Sequence, residues 1–176
     1  MMGKKVWGVL MNLEPETLWI VLLGIWIVVM YGHSLTPAEV SSQESGWALA
    51  RAKELAEALL GDSSWLTEHL IRKTAHFCEY TVFGLLLMQN VSLRLGKGSR
   101  RRRESRGGWI ILALAVLGVP FLDETLQLFS AGRSAQISDV WLDMAGACFG
   151  LAIWMGMKHL MENKRRRRRR RNWSIR

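Results

Sequence analysis

The chain has 176 residues, of which 49% are hydrophobic, and a formal net charge of +9. The positive charge is gathered rather than spread: residues 94–108 hold seven Lys/Arg against one Glu, residues 158–176 ten against one Glu, and the rest of the chain is apolar and slightly acidic. This distribution excludes a uniformly basic nucleic-acid-binding domain, so no nucleic-acid partner is expected. The richness in Leu, Ile, Val and Trp excludes a disordered chain. Apolar stretches lying between charge blocks instead describe an all-α, polytopic membrane protein.

Crossing about 30 Å of hydrocarbon takes about 20 mostly apolar helical residues. Four segments approach that length: about 17–35, 74–93, 109–129 and 140–161. The first is the cleanest, built on LWIVLLGIWIVVMYG. It follows Lys4 and Lys5, but Glu14 and Glu16 interrupt the basic region, against a signal peptide. Between the first two spans, Ser41 and Ser42 precede the amphipathic run GWALARAKELAEALLG, which ends at Gly61. Asp62, Ser63 or Ser64 is positioned to cap a second short helix toward Ile71. The expected result is a helical hairpin lying on the outer surface, with a lid over an outer site as the sharper alternative. The second span is marred by His76 and Glu79 near its start, the third by Asp123, Glu124 and Gln127 near its end, and the fourth by Asp143 near its start. Pro120, one turn before Glu124, is expected to kink the third.

Orientation follows from Lys/Arg in short flanking loops. The run Arg100–Arg103 and the tail run Arg165–Arg171 are expected on the cytoplasmic side. Four spans then place both termini there and put residues 36–73 and 130–139 outside. Residues 1–161 form the transmembrane domain and 162–176 an Arg-rich cytoplasmic tail, held to anionic inner-leaflet lipid by about 1 kcal/mol per basic residue near the surface. Trp19 and Trp109 fall at the expected inner interface and Trp141 at the outer one. Cys78 and Cys148 lie within apolar spans and are expected to act as small buried hydrophobes, not as a disulfide framework.

The polar breaks share one depth. His76 and Glu79 open the second span on the outer side, Asp123, Glu124 and Gln127 close the third there, and Asp139 and Asp143 open the fourth. Arg133 lies in the loop between the last two. Ionisable groups inside a membrane are costly and are usually paired or functional, so their arrival from three helices at one level points to one site. Helical spacing sharpens this: Lys73, His76, Tyr80 and Gly84 step by 3, 4 and 4 along one face, and Asp139, Asp143, Gly146 and Gly150 by 4, 3 and 4 along another. The small-xxx-small pair Gly146 and Gly150 marks the second face as packed against a helix. His33, at the outer end of the first span, has the right depth to join; His69 and His159 read as solvated.

Three chemistries fit these residue types. The cluster could only lock the bundle by internal pairing. Alternatively, Arg72, Lys73 and Arg133 hold a phosphate or carboxylate, with His76, Tyr80, Gln127, Asp139 and Asp143 completing a head-group site. In the third, His76 with Glu79, Glu124, Asp143 or, in the preferred set, Asp123 and Asp139 holds a divalent metal that activates water. An enzyme would draw on His76, Glu79, Asp123 and Glu124, with Glu124 or Asp123 as base and His76 as acid. No HExxH or GxSxG motif is present, and no cofactor other than such a metal is expected.

The strings RKTAHFCEYTVFGLLL at 72–87 and DETLQLFSAGRSAQISDVWLDMAGACFG at 123–150 resemble the VanZ family of bacterial membrane proteins. The family pattern maps onto Lys73, His76, Phe77, Tyr80, Asp123, Glu124, Gln127, Gly132, Arg133, Asp139, Val140, Gly146 and Gly150. The stretch SLTPAEVSSQESG is also similar to the family's loop. Asp143 stands where the family often has Asn, adding a charge in favour of a metal or proton-linked role. The Arg-rich tail is outside the pattern. The resemblance, over about residues 17–156, implies a bacterial cytoplasmic-membrane protein. It implies a link to low-level resistance against teicoplanin-type glycopeptides, which act on lipid-linked cell-wall precursors at the outer surface. It brings no settled biochemical activity.

Overall fold

The computed structural model describes residues 14–96, 101–133 and 136–173, so Lys4, Lys5 and Arg100 of the charge argument lie outside it. Among the described residues every regular element is an α-helix: α1 (Pro15–Ser34), α2 (Ala38–Leu60), α3 (Glu68–Gly96), α4 (Arg101–Gln127) and α5 (Ile137–Trp173). Three are long and apolar enough to cross a membrane by length and composition: α1, the Gly107–Gln127 part of α4 and the Ile137–Arg167 part of α5. These match the first, third and fourth expected spans to within a few residues, except that α5 continues unbroken beyond 161.

The ends follow local chemistry. Pro15 occupies the first turn of α1, where its missing N–H costs nothing. Pro37 caps the start of α2, and Gly61 ends it at φ 74°, in the left-handed region. The short second helix expected before Ile71 is absent as a separate element. Asp62 accepts a hydrogen bond from the Ser64 N–H at 2.8 Å and forms a turn. Thr67 then caps the next helix by accepting from the Leu70 N–H at 3.2 Å. With no breaker after Thr67, α3 runs on through the expected second span.

α3 is the middle of the bundle and packs against each of the other four helices. It is not among the helices apolar enough to span by composition, and its place explains why. A helix packed against four others meets protein along most of its surface, and can carry Lys73, Glu79 and Asn90 where they find partners. Its inner faces supply Tyr80, Phe83, Leu87, Met88 and Val91 to the core, joined by Met30 of α1, Leu112 and Val116 of α4 and Ala147 of α5. The outward faces of α1, α4 and α5 are apolar: Val28 is 71% exposed and Leu114 66%. Apolar faces this extensive are not those of a water-soluble monomer.

The two small-residue stripes read from the sequence meet each other. A methyl group on Gly84 would strike the backbone of Ala147, and one on Gly150 that of Thr81. On Gly146 it would lie 2.6 Å from the carbonyl oxygen of Phe77. Only glycine lets α3 and α5 approach this closely. Polar bonds reinforce the bundle: Asn90 donates to the Trp19 carbonyl at 2.9 Å, Trp26 Nε1 to the Glu79 carbonyl at 3.0 Å, and Trp154 Nε1 to Gln89 Oε1 at 2.8 Å. Both cysteines are exposed on the bundle surface, not buried as expected, because α3 and α5 turn their glycine stripes inward and these positions outward.

Candidate functional site

At one end of the bundle, the corner between α1 and α2 is tied to the connection between α4 and α5. Ala38 N–H donates to the Ala131 carbonyl at 3.1 Å. The Ser130 hydroxyl donates to the carbonyls of Leu35 and Thr36. Gly132, at φ 75°, makes the turn that packs against Ala38. These ties bring Arg133 over the ends of α1 and α3, where its guanidinium reaches the Ser34 carbonyl at 3.5 Å.

Beneath it are two adjoining cavities of about 120 and 200 Å³, which share Arg72, His76 and Arg133 as walls. The smaller is also lined by Lys73, Gln127 and Asp139. The larger reaches His33 and Glu79, and is covered by α2, whose Ser41 and Ser45 are buried against it. The amphipathic helix therefore roofs the cleft with its first half. His69 stands exposed at the rim, and His159 lies elsewhere, paired with Asn163 at 2.8 Å.

The site has two electrostatic layers. The upper layer is cationic. Arg72 donates to Glu68 at 2.8 Å and Lys73 pairs with Asp139 at 3.1 Å. Arg133 makes no ion pair within 4 Å among the described residues. Burial holds the Arg133 guanidinium below its ordinary pKa and the nearby Arg72 charge adds to this, while Asp123, Glu124 and Glu79 oppose it. The lower layer is acidic. Asp123 and Asp143 are buried, at 1% and 0% exposure. His76 links the layers: it borders both cavities, and its Nδ1 is 3.7 Å from Asp143 Oδ1. To one side His33 Nδ1 lies 2.7 Å from Glu79 Oε1, and to the other Glu124 accepts from the Gln136 N–H.

Every site residue expected from the sequence is thus at this end of the bundle. Lys73, His76, Gln127, Arg133 and Asp139 meet in the cleft, and Tyr80, Asp123 and Asp143 lie below it. The metal-capable group is His76, Asp123 and Asp143, each offering one ligand atom within 4.8 Å of the others. Asp139, expected as a ligand, is instead engaged by Lys73. Ser34, which is buried beside Asp123, and Gln136, which lines the smaller cavity, also belong to the site. A serine ending a helix and a glutamine in a loop carry no pattern that marks them.

Comparison with curated proteins and with solved structures finds no match. The VanZ/LLP1 family model matches residues 19–160, which contain all five helices' packed portions and every residue of the cleft. The motif residues, their convergence on one cleft and this match agree, and the chain belongs to the VanZ/LLP1 family.

Proposed function

We propose that the cleft binds the anionic head group of a lipid-linked molecule at the outer face of the bacterial cytoplasmic membrane. In this reading α3 is the fourth span, α2 lies outside as the roof, both termini are cytoplasmic, and Arg165–Arg171 rest on anionic inner-leaflet lipid. The observation that carries it is the convergence of Arg72, Lys73 and Arg133 on one small cleft. Like charges brought together under partial burial repel, and a phosphate accepting from all three relieves that repulsion. Arg133 suits the role best, as a guanidinium with no ion-pair partner within 4 Å among the described residues.

A lipid-linked ligand is favoured over a free anion by an apolar groove of about 480 Å³ between α4 and α5. Phe121, Leu128, Ile137 and Trp141 line it together with Glu124, which accepts from the N–H of Gln136 in the cleft wall. A head group in the cleft would leave its chain in this groove, facing the bilayer. A lipid-linked cell-wall precursor has this chemistry, and sequestering or altering one would connect the cleft to teicoplanin-type glycopeptide resistance.

The test is binding of a prenyl diphosphate lipid to the purified chain in nanodiscs, with inorganic phosphate in parallel. Wild type should bind the lipid more tightly than the free anion. Arg133→Ala should weaken lipid binding at least tenfold, with Arg133→Lys intermediate because it keeps the charge but loses the fork. Unchanged binding by a monodisperse Arg133→Ala protein would overturn the proposal. In cells, expression should raise tolerance to a teicoplanin-type glycopeptide, and Arg133→Ala and His76→Ala should remove that effect at normal protein levels. Failure of both variants to accumulate would favour a packing-only role.

A second reading adds catalysis. His76 faces the cleft with a carboxylate behind it, an arrangement that orients an imidazole for proton transfer to a bound phosphate ester. Release of phosphate from the same lipid, lost in His76→Ala, would establish it; no turnover by the wild type would exclude it.

A further inference from the structure

We propose that His76, Asp123 and Asp143 form a binding site for one divalent cation of the Mn²⁺ or Zn²⁺ class, beneath the head-group cleft. The proposal does not depend on the head-group reading, because it rests on different atoms. One ligand atom from each residue lies within 4.8 Å of the other two. A cation bonded at about 2.1 Å holds its ligands about 3–4 Å apart, so modest side-chain rotation brings all three into contact. Imidazole suits transition metals and carboxylates suit hard ones, and the mixture favours Mn²⁺ or Zn²⁺ over Ca²⁺.

The unpaired polar atoms supply the second observation. Among the described residues, His76 Nδ1, Asp123 Oδ1 and both carboxylate oxygens of Asp143 are buried without a hydrogen-bond partner. The hydroxyls of Tyr80 and Ser34, at 0% and 1% exposure, lie against Asp123, where they would support a ligating carboxylate. Unsatisfied buried groups are rare in folded proteins because each costs about 1–3 kcal/mol, more if charged. Four such atoms on the three candidate ligands are not explained by packing. A cation satisfies the carboxylates and the imidazole together, and offsets the excess acidic charge of the lower layer. The framework is stiff, since Gly146 sits against Phe77 and Tyr80, locking the α5 turn that bears Asp143 to the α3 turn that bears His76. His76 borders both cavities, so a cation there lies at the cleft floor, within reach of a head-group oxygen.

The experiment uses the full chain in detergent, stripped with EDTA, dialysed and titrated with Mn²⁺, followed by electron paramagnetic resonance, and separately with Zn²⁺, followed by calorimetry, with thermal stability read in both. Wild type should bind one equivalent and gain thermal stability. Asp143→Asn and His76→Gln should each weaken binding at least tenfold. Asp139→Asn, one turn away and paired with Lys73, should bind as wild type does, and so should Arg133→Ala, which separates this site from the head-group site. The absence of saturable Mn²⁺ and Zn²⁺ binding by the wild type would overturn the proposal even if a variant failed to fold. Equal affinity in wild type and a monodisperse Asp143→Asn protein would overturn it as well.

Discussion

Asp139 and Asp143 are one helical turn apart on the same stripe of α5, yet they have different fates. Asp139 is about one-third exposed and pairs with Lys73 at 3.1 Å; Asp143 is fully buried with no hydrogen-bond partner for either oxygen. The spacing of 4 put both on the packed face, but one turn of depth separates a partly solvated ion pair from a desolvated carboxylate. Only packing against α3 reveals that difference. The same holds for Ser34, whose role comes from Asp123 lying opposite it, not from any pattern of its own. Lys73, His76 and Tyr80 were legible because their 3-and-4 spacing forces them onto one face whatever surrounds them. The Lys73–Asp139 pair should contribute little to stability, since partly solvated pairs are worth about 0–1 kcal/mol. A double-mutant cycle with Lys73→Met and Asp139→Asn, read by unfolding in detergent, should give a coupling energy below about 1 kcal/mol. A larger value would mean the pair is more desolvated than its exposure indicates.

At the scale of elements, the clean apolar helices and the amphipathic run ending at Gly61 form where expected, whereas the separate short helix before Ile71 does not. α1, α4 and α5 have outward apolar faces, so composition marks them. α3 packs against all four other helices, and its polar residues dilute the same signal. The glycine stripes were the more informative clue, because close approach leaves no alternative to glycine. Gly150→Ala should therefore be destabilising by about 1–3 kcal/mol or more, as overpacking against the Thr81 backbone forces α3 and α5 apart. Gly156→Ala provides the contrast: it lies on the same helix with nothing within 4 Å of the new methyl group. There stability should be unchanged or raised by about 0.5–1 kcal/mol through helix propensity. Thermal unfolding of both variants in one detergent checks the pair. Equal losses would mean that α3 and α5 do not meet along this stripe.

For the whole molecule, the charge blocks and the site should lie on opposite sides of the membrane. α5 has 37 residues and runs from the cleft through the Arg165–Arg171 run without a break. At 1.5 Å per residue that is about 55 Å, against about 30 Å of hydrocarbon. If Asp139 lies near one interface, the basic end of the helix must project well beyond the other. Lys/Arg-rich flanks favour the cytoplasm, so the roof helix α2 and the cleft should face outward. Single-cysteine labelling decides this once the exposed Cys78 and Cys148 are replaced. Gln43→Cys, on the exposed side of α2, should react with a membrane-impermeant maleimide in intact cells. Lys164→Cys, on the projecting end of α5, should react only after permeabilisation. The reverse pattern would place the cleft in the cytoplasm, where an outer-leaflet lipid-linked ligand could not reach it. Labelling of both positions in intact cells would mean that α5 does not span, and α3 would then have no claim to be the fourth crossing. The expected pattern puts a cationic cleft with an acidic floor on the outer face and the arginine run on the far side.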